Sequence, residues 1–448
     1  MASRSSFGLT LTALGLVSCG GIVIVDGPPS SSSGAEPPVD PWSAPPGVAA
    51  PLPGNGSSPD LPSFSDPSGG EWSGWWLRFP TFGIYATSVA TLDGDAIVAG
   101  GGNAGNADFG AGLLAPELLA SDSISFLMRV SAAGKLLWVK RIDIGEPHVI
   151  VDGTSHIRVL TEHGFQTYDG DGQLSNERTF GEHVTVGSIA PTADGGLLVG
   201  LGVDSGDVDL GSGPVPLVGA TPLGLLVRLN AQGQAINWHE ASTAVNQVGE
   251  DGAGNVLAGT SGSQPVWDGV PVGPVDGVIH WTCFYAGGSP LWGSTMSGFE
   301  ELGREVAVRE GSGMLLSGGA HSPLSFDGKD VPYGASGTLE ERGVVLRVGG
   351  TGQLESTLVL GKQAYFVAPG PGHMLAAATN QVAPVGMVWC ANGVEPCDRY
   401  SLSDTEASGN YVTVSLKPTV AYVAGTMRLT PGGSQSAVPQ LYLMKIVH

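Results

Sequence analysis

The sequence is poor in charged residues and poorest in basic ones. Among 448 residues, Lys and Arg together number 19 and Asp and Glu 41, so the formal net charge is −22. A surface of this sign repels phosphate backbones, and we do not expect nucleic acid as a partner. The chain is 13% charged and 42% hydrophobic. Disordered proteins combine low hydrophobicity with high charge, so a folded domain is expected.

The apolar run near the N-terminus is too short to span a membrane as a helix. It covers residues 7–17, the length of the hydrophobic region of a signal peptide. The residues Leu16-Val17-Ser18-Cys19 resemble the lipobox of bacterial lipoproteins. That resemblance implies cleavage before Cys19 and acyl chains such as palmitate on its thiol. Gly20 in place of Asp implies the outer membrane in bacteria that sort lipoproteins by this position. An uncleaved anchor and plain secretion are the alternatives.

The segment after the cysteine is dominated by Pro, Ser, Gly and Ala. It contains PPSSSSGAEPP and SAPPGVAAPLPGNGSSP. Such a composition cannot bury enough apolar surface to fold and predicts an extended, partly polyproline tether. We therefore predict a signal peptide over residues 1–18, a lipidated tether over 19–70 and a folded domain over 71–448.

The folded region repeats a unit of four strands. A Gly turn followed by a strand with a tryptophan occurs as SAAGKLLWVK, NAQGQAINWH and AGGSPLWGS, and Phe180 and Thr357 stand at the corresponding place in two other units. Short units have about 42 residues, the size of a propeller blade. Longer units carry an insert between their second and third strands: ADFGAGLL, VDLGSGPVPL, VWDGVPV or SFDGKDVPY.

Six complete units precede a seventh that has three strands. The segment GWWLRF, residues 74–79, resembles a fourth strand and has no earlier strands of its own. We therefore predict an all-β fold, a seven-bladed β-propeller closed by the N-terminal strand, with six or eight blades as alternatives. The units resemble the SBBP-type β-propeller repeats of bacterial secreted proteins and lipoproteins. This resemblance implies the fold and says little about function.

The four cysteines suggest different roles. Cys390 and Cys397 bracket CANGVEPC, at the turn between the third and fourth strands of unit 6. Exported proteins meet oxidants, and a short Asn-Gly loop brings the two Cα atoms close, so we expect a disulfide. Cys283 lies in an apolar strand, where a lone cysteine ordinarily acts as a small hydrophobe.

Two polar clusters are candidate sites. Asp204, Asp207 and Asp209 are calcium candidates because three carboxylates lie within six residues, although the stretch aligns with the inserts of other units. Unit 2 holds several histidines and glutamates that adjacent strands can bring together for metal binding or acid–base work: His148, His156, His163, His183, Glu162 and Glu182. Isolated histidines are the ordinary interpretation. The repeated tryptophans suggest quinone stacking or, from their place on the fourth strand, packing between blades.

No local motif assigns a catalytic residue, a metal or a cofactor. The leading prediction is therefore a non-enzymatic, envelope-anchored propeller that binds or scaffolds, acts as a monomer and has a protein or a carbohydrate as ligand. The alternative is a propeller enzyme, such as a lyase, a hydrolase or a quinoprotein-like oxidoreductase, with its site at the mouth of the central channel. Converging His and carboxylate side chains at the channel mouth would favour the enzyme. Small or apolar residues lining the channel would favour the scaffold.

Overall fold

The computed structural model describes residues 73–447 with short gaps, the longest at 332–341 and 429–438. The predicted signal peptide, Cys19 and the tether lie outside the described residues. The described part is all-β apart from one turn of 3₁₀ helix, Ala104–Asn106. Within it, no helix has the length and apolar character needed to cross a membrane.

The described strands fall into successive units of four. Strand β1 covers Ser73–Phe82. Unit 1 contains β2 (Ile84–Leu92), β3 (Asp95–Asn103), β4 (Ser123–Val130) and β5 (Leu136–Ile142). Unit 2 contains β6 (His148–Val151), β7 (Ile157–Leu160), β8 (Gly164–Tyr168) and β9 (Leu174–Thr179). Unit 3 contains β10 (Val184–Pro191), β11 (Leu197–Val203), the insert strands β12 (Val208–Asp209) and β13 (Pro214–Val215), β14 (Leu223–Leu229) and β15 (Ala235–Ala241).

The remaining units follow the same order. Unit 4 contains β16 (Val245–Glu250), β17 (Val256–Ser261), the insert strands β18 (Val266–Trp267) and β19 (Val270–Pro271), β20 (Ile279–Phe284) and β21 (Pro290–Leu302). Unit 5 contains β22 (Ala307–Val308), β23 (Gly313–Phe326), β24 (Lys329–Asp330), β25 (Arg342–Gly349) and β26 (Leu354–Val359). Unit 6 contains β27 (Ala364–Gly370), β28 (His373–Asn380), β29 (Ala383–Ala391) and β30 (Cys397–Ser401). The last three strands are β31 (Ser408–Lys417), β32 (Val420–Arg428) and β33 (Pro439–Val447).

Each unit is an antiparallel meander. The order is β2-β3-β4-β5 in unit 1, and the same pattern recurs along the chain. The last three strands take β1 as their fourth member, with Ser73 opposite Val447 and Leu77 opposite Leu443. The first strands of neighbouring units contact one another, and β31 of the last unit contacts β2 of the first. Radial repetition of four-stranded meanders is the β-propeller fold.

The hydrophobic core lies in layers between neighbouring units. Ile97 of unit 1 and Val159 of unit 2 belong to one such layer. The layer between the last unit and unit 1 includes Phe79 of β1 together with Tyr422. Phe79 is 4% exposed, so β1 contributes a buried aromatic ring as well as its backbone pairing.

Two tryptophans join neighbouring units through hydrogen bonds. Trp138 Nε1 donates to the Gly170 carbonyl at 3.1 Å, and Trp292 Nε1 donates to the Gly350 carbonyl at 2.8 Å. Both carbonyls belong to the turn between the third and fourth strands of the next unit. Packing between blades, the predicted role of these tryptophans, is confirmed for this pair.

Trp238 is shifted by one residue from this pattern. Trp138 pairs with Arg129, whereas Asn237 pairs with the corresponding Arg228. Side chains alternate along a strand, so Trp238 faces the opposite side of its sheet. Its 39% exposure follows from that orientation.

The same register corrects two predicted equivalences. Asn176 and Ser356 occupy the place of the tryptophan in units 2 and 5, so the positions predicted for Phe180 and Thr357 are wrong. The fourth strand has a bulge near its start in each of units 1 to 5, so the residue four positions after the turn glycine is equivalent in all of them. Counting four residues from Gly172 and Gly352 gives Asn176 and Ser356, just as counting four from Gly134 gives Trp138.

The inserts of the long units cover the outer strand of the preceding unit. Strand β18 pairs with β15 through Trp267 and Ala241. The end of β23 pairs with β21, with Phe326 opposite Met296. In unit 1 the insert residue Phe109 packs against Phe79 of β1 with ring centroids 5.7 Å apart. An unpaired outer strand is a site for pairing with other chains, so the inserts protect these edges.

Two of these inserts are held by an aspartate at the tip of the hairpin. Asp268 Oδ1 accepts a hydrogen bond from the backbone N–H of Glu240 at 2.9 Å, and Asp327 Oδ1 accepts one from Thr295 N–H at 2.8 Å. Both aspartates have a φ of 49°. The Asp-Gly steps of the inserts therefore form the turn and also bind the neighbouring unit.

Gly352 permits the contact between units 4 and 5. Its φ is +79°, and an added Cβ would lie 2.6 Å from Cδ2 of Trp292. We expect Gly352→Ala to lower the free energy of unfolding by about 2–5 kcal/mol, from strain at positive φ plus overpacking. The control Gly254→Ala has a φ of +80° and nothing within 4 Å of the added Cβ, so it should cost only about 1–2 kcal/mol. Urea unfolding measures both, and equal losses would contradict the role of the tryptophan contact.

Candidate functional site

A cavity of about 610 Å³ opens where units 2, 3 and 4 meet. Its walls come from the beginnings of β6, β10, β16 and β20 and the ends of β7 and β17. In an antiparallel meander these strand ends lie on the same side of the unit. Since the first strands of a propeller surround its channel, the cavity lies at one channel mouth.

Ten of the residues that line the cavity have polar side chains, while apolar atoms make up the larger part of its surface. Unit 2 and the loop before it contribute Glu146, His148, Thr161 and Glu162; unit 3 contributes Thr185 and Ser188; unit 4 contributes Asn246, Gln247, Thr260 and Ser261. Aliphatic groups such as Ile144 and Val186 lie between them. A few polar groups converging on a partly apolar wall are typical of small-molecule sites.

Bulges in the first strands shape this wall. The pairing of β10 with β11 leaves out Gly187, and the pairing of β16 with β17 leaves out Asn246. Strand β2 has a bulge at the equivalent residue, Thr87. A bulge bends the strand and redirects the extra residue, and both Gly187 and Asn246 line the cavity.

Gly187 also sets the spacing between two first strands. An added Cβ would lie 2.5 Å from the Val245 carbonyl oxygen and 2.9 Å from the Asn246 Cα. No side chain fits there, so the two backbones approach closely at the cavity floor. A hydrogen bond orients the side chain of Asn246: its Nδ2 donates to Ser261 Oγ at 3.0 Å.

Thr260 has a hydrogen-bonding capacity that the protein does not use. The residue is 1% exposed, and its hydroxyl has no partner among the described residues. Leaving a hydroxyl unpaired in a protein interior costs about 1–3 kcal/mol. Thr260 lines the cavity, and a rotation about χ1 exchanges its methyl and hydroxyl groups. The side chain can therefore offer a hydroxyl to a molecule in the cavity.

The charge at the cavity is negative. Glu146 and Glu162 are exposed at its rim, beside the half-buried His148. None of the lining residues is Lys or Arg. Because clefts lined by one sign of charge focus the potential, this mouth disfavours anions.

The structure separates the histidines that the sequence places in one unit. His148 lies at the cavity, whereas His156 Nδ1 is 2.7 Å from Thr154 Oγ1 and His163 Nδ1 is 2.7 Å from the Val184 carbonyl. The His183 carbonyl accepts a backbone N–H. In the part of the chain that the structure describes, no group of three or more His, Cys, Asp or Glu side chains could hold a metal ion.

Of the calcium candidates, Asp204 and Asp207 lie in the loop before β12, and Asp209 is the last residue of β12. Asp204, Asp207 and Asp209 are all exposed. Asp209 Oδ1 accepts hydrogen bonds from the N–H groups of Gly211 and Gly213 at 2.7 and 3.2 Å. The orientation of the Asp209 carboxylate is thus explained by the turn that follows it.

Cys390 and Cys397 are direct partners in the pairing of β29 with β30, while their side chains lie outside the described residues. Cys283 is 1% exposed in the layer between units 4 and 5. Burial, with a smaller effect of the Asp251 charge, raises the pKa of its thiol to about 12. Cys283 therefore carries a protonated thiol at neutral pH, and it packs as a small hydrophobe as predicted.

A second cavity, of about 470 Å³, lies at the opposite end of the first strands. Its wall includes Asp152, which is 4% exposed and 2.9 Å from Arg158 Nε. Burial alone would raise the pKa of Asp152, but hydrogen bonds from Thr154, His156 N–H and Arg158 outweigh it, and the pKa is lowered. Since this carboxylate is occupied by protein partners, the first cavity is the better candidate site.

Asn246, Gln247 and Thr260 were not singled out by sequence reasoning. They come from two strands of unit 4, while Glu146 and Glu162 come from elements about 100 residues earlier. One signal was available: polar residues stand at the start of the first strand and the end of the second, in NQVGE and LAGTS. Comparing those strand ends from one repeat to the next would have indicated which residues lie at the mouth of the channel.

No protein-family model matches the chain, and no curated protein matches it. Solved structures match it at low identity. Polysaccharide lyase Uly1 is 10% identical with a TM-score of 0.46, covering 80% of this chain and 89% of its own. Virginiamycin B lyase from Staphylococcus aureus is 6% identical with a TM-score of 0.44, covering 84% and 100%. BamB from Moraxella catarrhalis is 9% identical with a TM-score of 0.39, covering 81% and 85%.

Proposed function

We propose that this protein is a non-enzymatic binding propeller whose channel-mouth cavity holds a small carbohydrate. The supporting observation is the cavity of about 610 Å³ with hydroxyl and amide side chains from three units. Hydroxyls and amides each donate and accept hydrogen bonds, as sugar hydroxyls do. The volume falls within the range of small-ligand pockets.

The proposed scaffold is a monomeric, closed ring of seven blades, with β1 completing the seventh. A closed ring would fix units 2, 3 and 4 relative to one another, and the cavity depends on that arrangement. Preformed sites lose less entropy on binding than flexible ones.

The proposed location is the outer membrane of a bacterial cell envelope. Acyl chains on Cys19 would supply the membrane contact, and two or more chains suffice for stable anchoring. The segment over residues 19–70 would then separate the propeller from the lipid by tens of Å, at about 3.1 Å per residue where it is polyproline-like.

We also propose that Cys390 and Cys397 form a disulfide. Residues directly opposite each other in an antiparallel pair have Cα atoms about 4.5–5.5 Å apart, within the range that a disulfide requires. We expect both thiols of the oxidised, denatured protein to resist alkylation until a reductant is added, with Cys283 alkylated in either case. Mass spectrometry counts the adducts, and free thiols at both positions before reduction would contradict the disulfide.

Asn246 offers a direct test of carbohydrate binding. Replacing it with Ala removes an amide from the cavity wall and should weaken binding about 5-fold, which corresponds to a hydrogen bond of about 1 kcal/mol. Isothermal titration with glucose and N-acetylglucosamine measures the change. Asn176→Ala, on an exposed part of β9 away from the cavity, is the matched control and should bind as the parent does. Equal affinities of the two variants would place the ligand elsewhere.

A catalytic role is the second candidate, and one observation favours it. Glu146, His148 and Glu162 line the same cavity, which gives a carboxylate and an imidazole for a lyase or hydrolase. Incubation with oligosaccharides followed by product analysis separates the two functions. Cleavage that disappears in His148→Ala would support the enzyme, and intact oligosaccharides would support the binding module.

A further inference from the structure

We propose that the rim of the cavity selects among saccharides by charge, favouring a basic amino sugar over a neutral one and excluding an acidic one. This inference rests on the proposed carbohydrate binding and names the class of sugar that the site prefers.

The rim carries two carboxylates and the imidazole of His148, with no Lys or Arg among the lining residues, and His163 Nε2 lies 4.0 Å from Glu162 Oε2. Glu162 has 78% of its side chain exposed, and Glu146 is exposed in the loop before β6. Both line the cavity. A protonated amine placed here would gain charge-assisted hydrogen bonds, which are stronger than neutral ones. A sugar carboxylate would be repelled by the same groups.

The opposite wall is neutral and suited to hydroxyl groups. Ser188, Asn246 and Thr260 line the cavity from units 3 and 4. Thr260 is 1% exposed, and its hydroxyl has no partner among the described residues; rotation about χ1 would turn this hydroxyl toward a ligand that donates or accepts a hydrogen bond. The cavity thus presents negative charge on the unit 2 side and uncharged polar groups on the other. A molecule with one amine and several hydroxyls complements both sides.

Glucosamine, glucose and glucuronate test the proposal because they share one ring and differ in charge. We expect glucosamine to bind about five-fold more tightly than glucose at low salt, the gain from exposed ion pairs, and glucuronate to bind more weakly than glucose. Raising the salt to 0.5 M should shrink the difference, because exposed charges are screened. Isothermal titration of the full-length protein at pH 7 measures the three affinities.

Two variants distinguish the effect of the rim carboxylates on sugar preference from the effect of the protein's overall charge. In the double variant Glu146→Gln and Glu162→Gln, the preference for glucosamine should fall to within about twofold. The control Glu177→Gln removes one negative charge on β9, outside the cavity, and should keep the preference. If Glu177→Gln abolishes it as well, net charge and not the rim is responsible, and the proposal is overturned.

The substitution Thr260→Val tests the neutral wall of the cavity independently of the charged rim. It removes the hydroxyl while keeping the shape, so glucose and glucosamine should both bind more weakly, by a similar factor, with thermal stability kept or raised. A loss of stability would show that the hydroxyl has a partner inside the protein, against the proposal. Equal binding of all three sugars by the parent protein would overturn the charge selection and leave carbohydrate binding intact. Absence of binding for every sugar would overturn both.

Discussion

Deleting residues 74–79 is expected to abolish cooperative folding of the propeller. The deletion removes most of β1, which pairs with β33 from Ser73 to Phe82. It also removes Phe79, which is 4% exposed and packs with Phe109 and Tyr422 in one core layer. Truncating a buried Phe alone costs about 3–5 kcal/mol. With the strand pairing added, the loss approaches the whole stability of an ordinary domain, about 5–15 kcal/mol.

The measurement is thermal unfolding followed by circular dichroism, with two comparison variants. Deleting residues 57–62 shortens the Pro/Ser-rich segment by the same length and should leave the transition unchanged. Phe79→Ala keeps the backbone pairing and should lose about 3–5 kcal/mol while still unfolding in one transition. A deletion of 74–79 that unfolds like the parent protein would contradict closure of the ring by β1.

Replacing Cys19 with Ser should release the protein from membranes. The proposed anchor is a set of acyl chains on this one thiol, so its loss leaves no covalent lipid and the change is all or none. Fractionation of cells that express the protein, with palmitate labelling, measures the outcome. Cys283→Ala is the control, because this cysteine is buried in the propeller. The Cys283→Ala protein should remain labelled with palmitate and bound to the membrane.

Retention of Cys19→Ser in the membrane fraction would contradict the lipoprotein proposal. An uncleaved N-terminal anchor would give that result, and the unprocessed mass of the protein would identify it. Release of the parent protein together with the variant would instead indicate plain secretion.

The repeat made the fold predictable from the sequence. An apolar third strand, a Gly turn and a fourth strand recur in the same order in successive units, and each corresponds to a physical requirement of the unit. Gly352 shows why the turn needs glycine, since Trp292 packs directly on it. The orphan segment at residues 74–79 was interpretable for the same reason, because it matched a strand that one unit lacked.

The role of the inserts was not predictable in the same way. Their Asp-Gly steps indicate hairpins, but β18 pairs with a strand of another unit. Hydrophobic periodicity in the sequence indicates which residues are buried, but it does not indicate which neighbouring strand or unit covers them. Trp238 shows how sensitive the facing of a side chain is to register: it stands five residues after Gly233, one more than Trp138 after Gly134, and a shift of one residue moves a side chain to the other face.

The candidate site was harder to predict than the fold. Its residues come from separate units and carry no spacing that a motif would preserve. Bulges place Gly187 and Asn246 at the cavity, and a bulge is a property of strand pairing. That the hydroxyl of Thr260 has no partner within the described part of the chain becomes visible only when its surroundings are known.

A crystal structure of the protein grown with glucosamine tests the central claim most directly. The proposed function predicts electron density for the sugar in the cavity between units 2, 3 and 4, with its amine near Glu146 or Glu162 and its hydroxyls near Asn246 and Thr260. An empty cavity at a saturating sugar concentration, or sugar bound only elsewhere on the propeller, would contradict it.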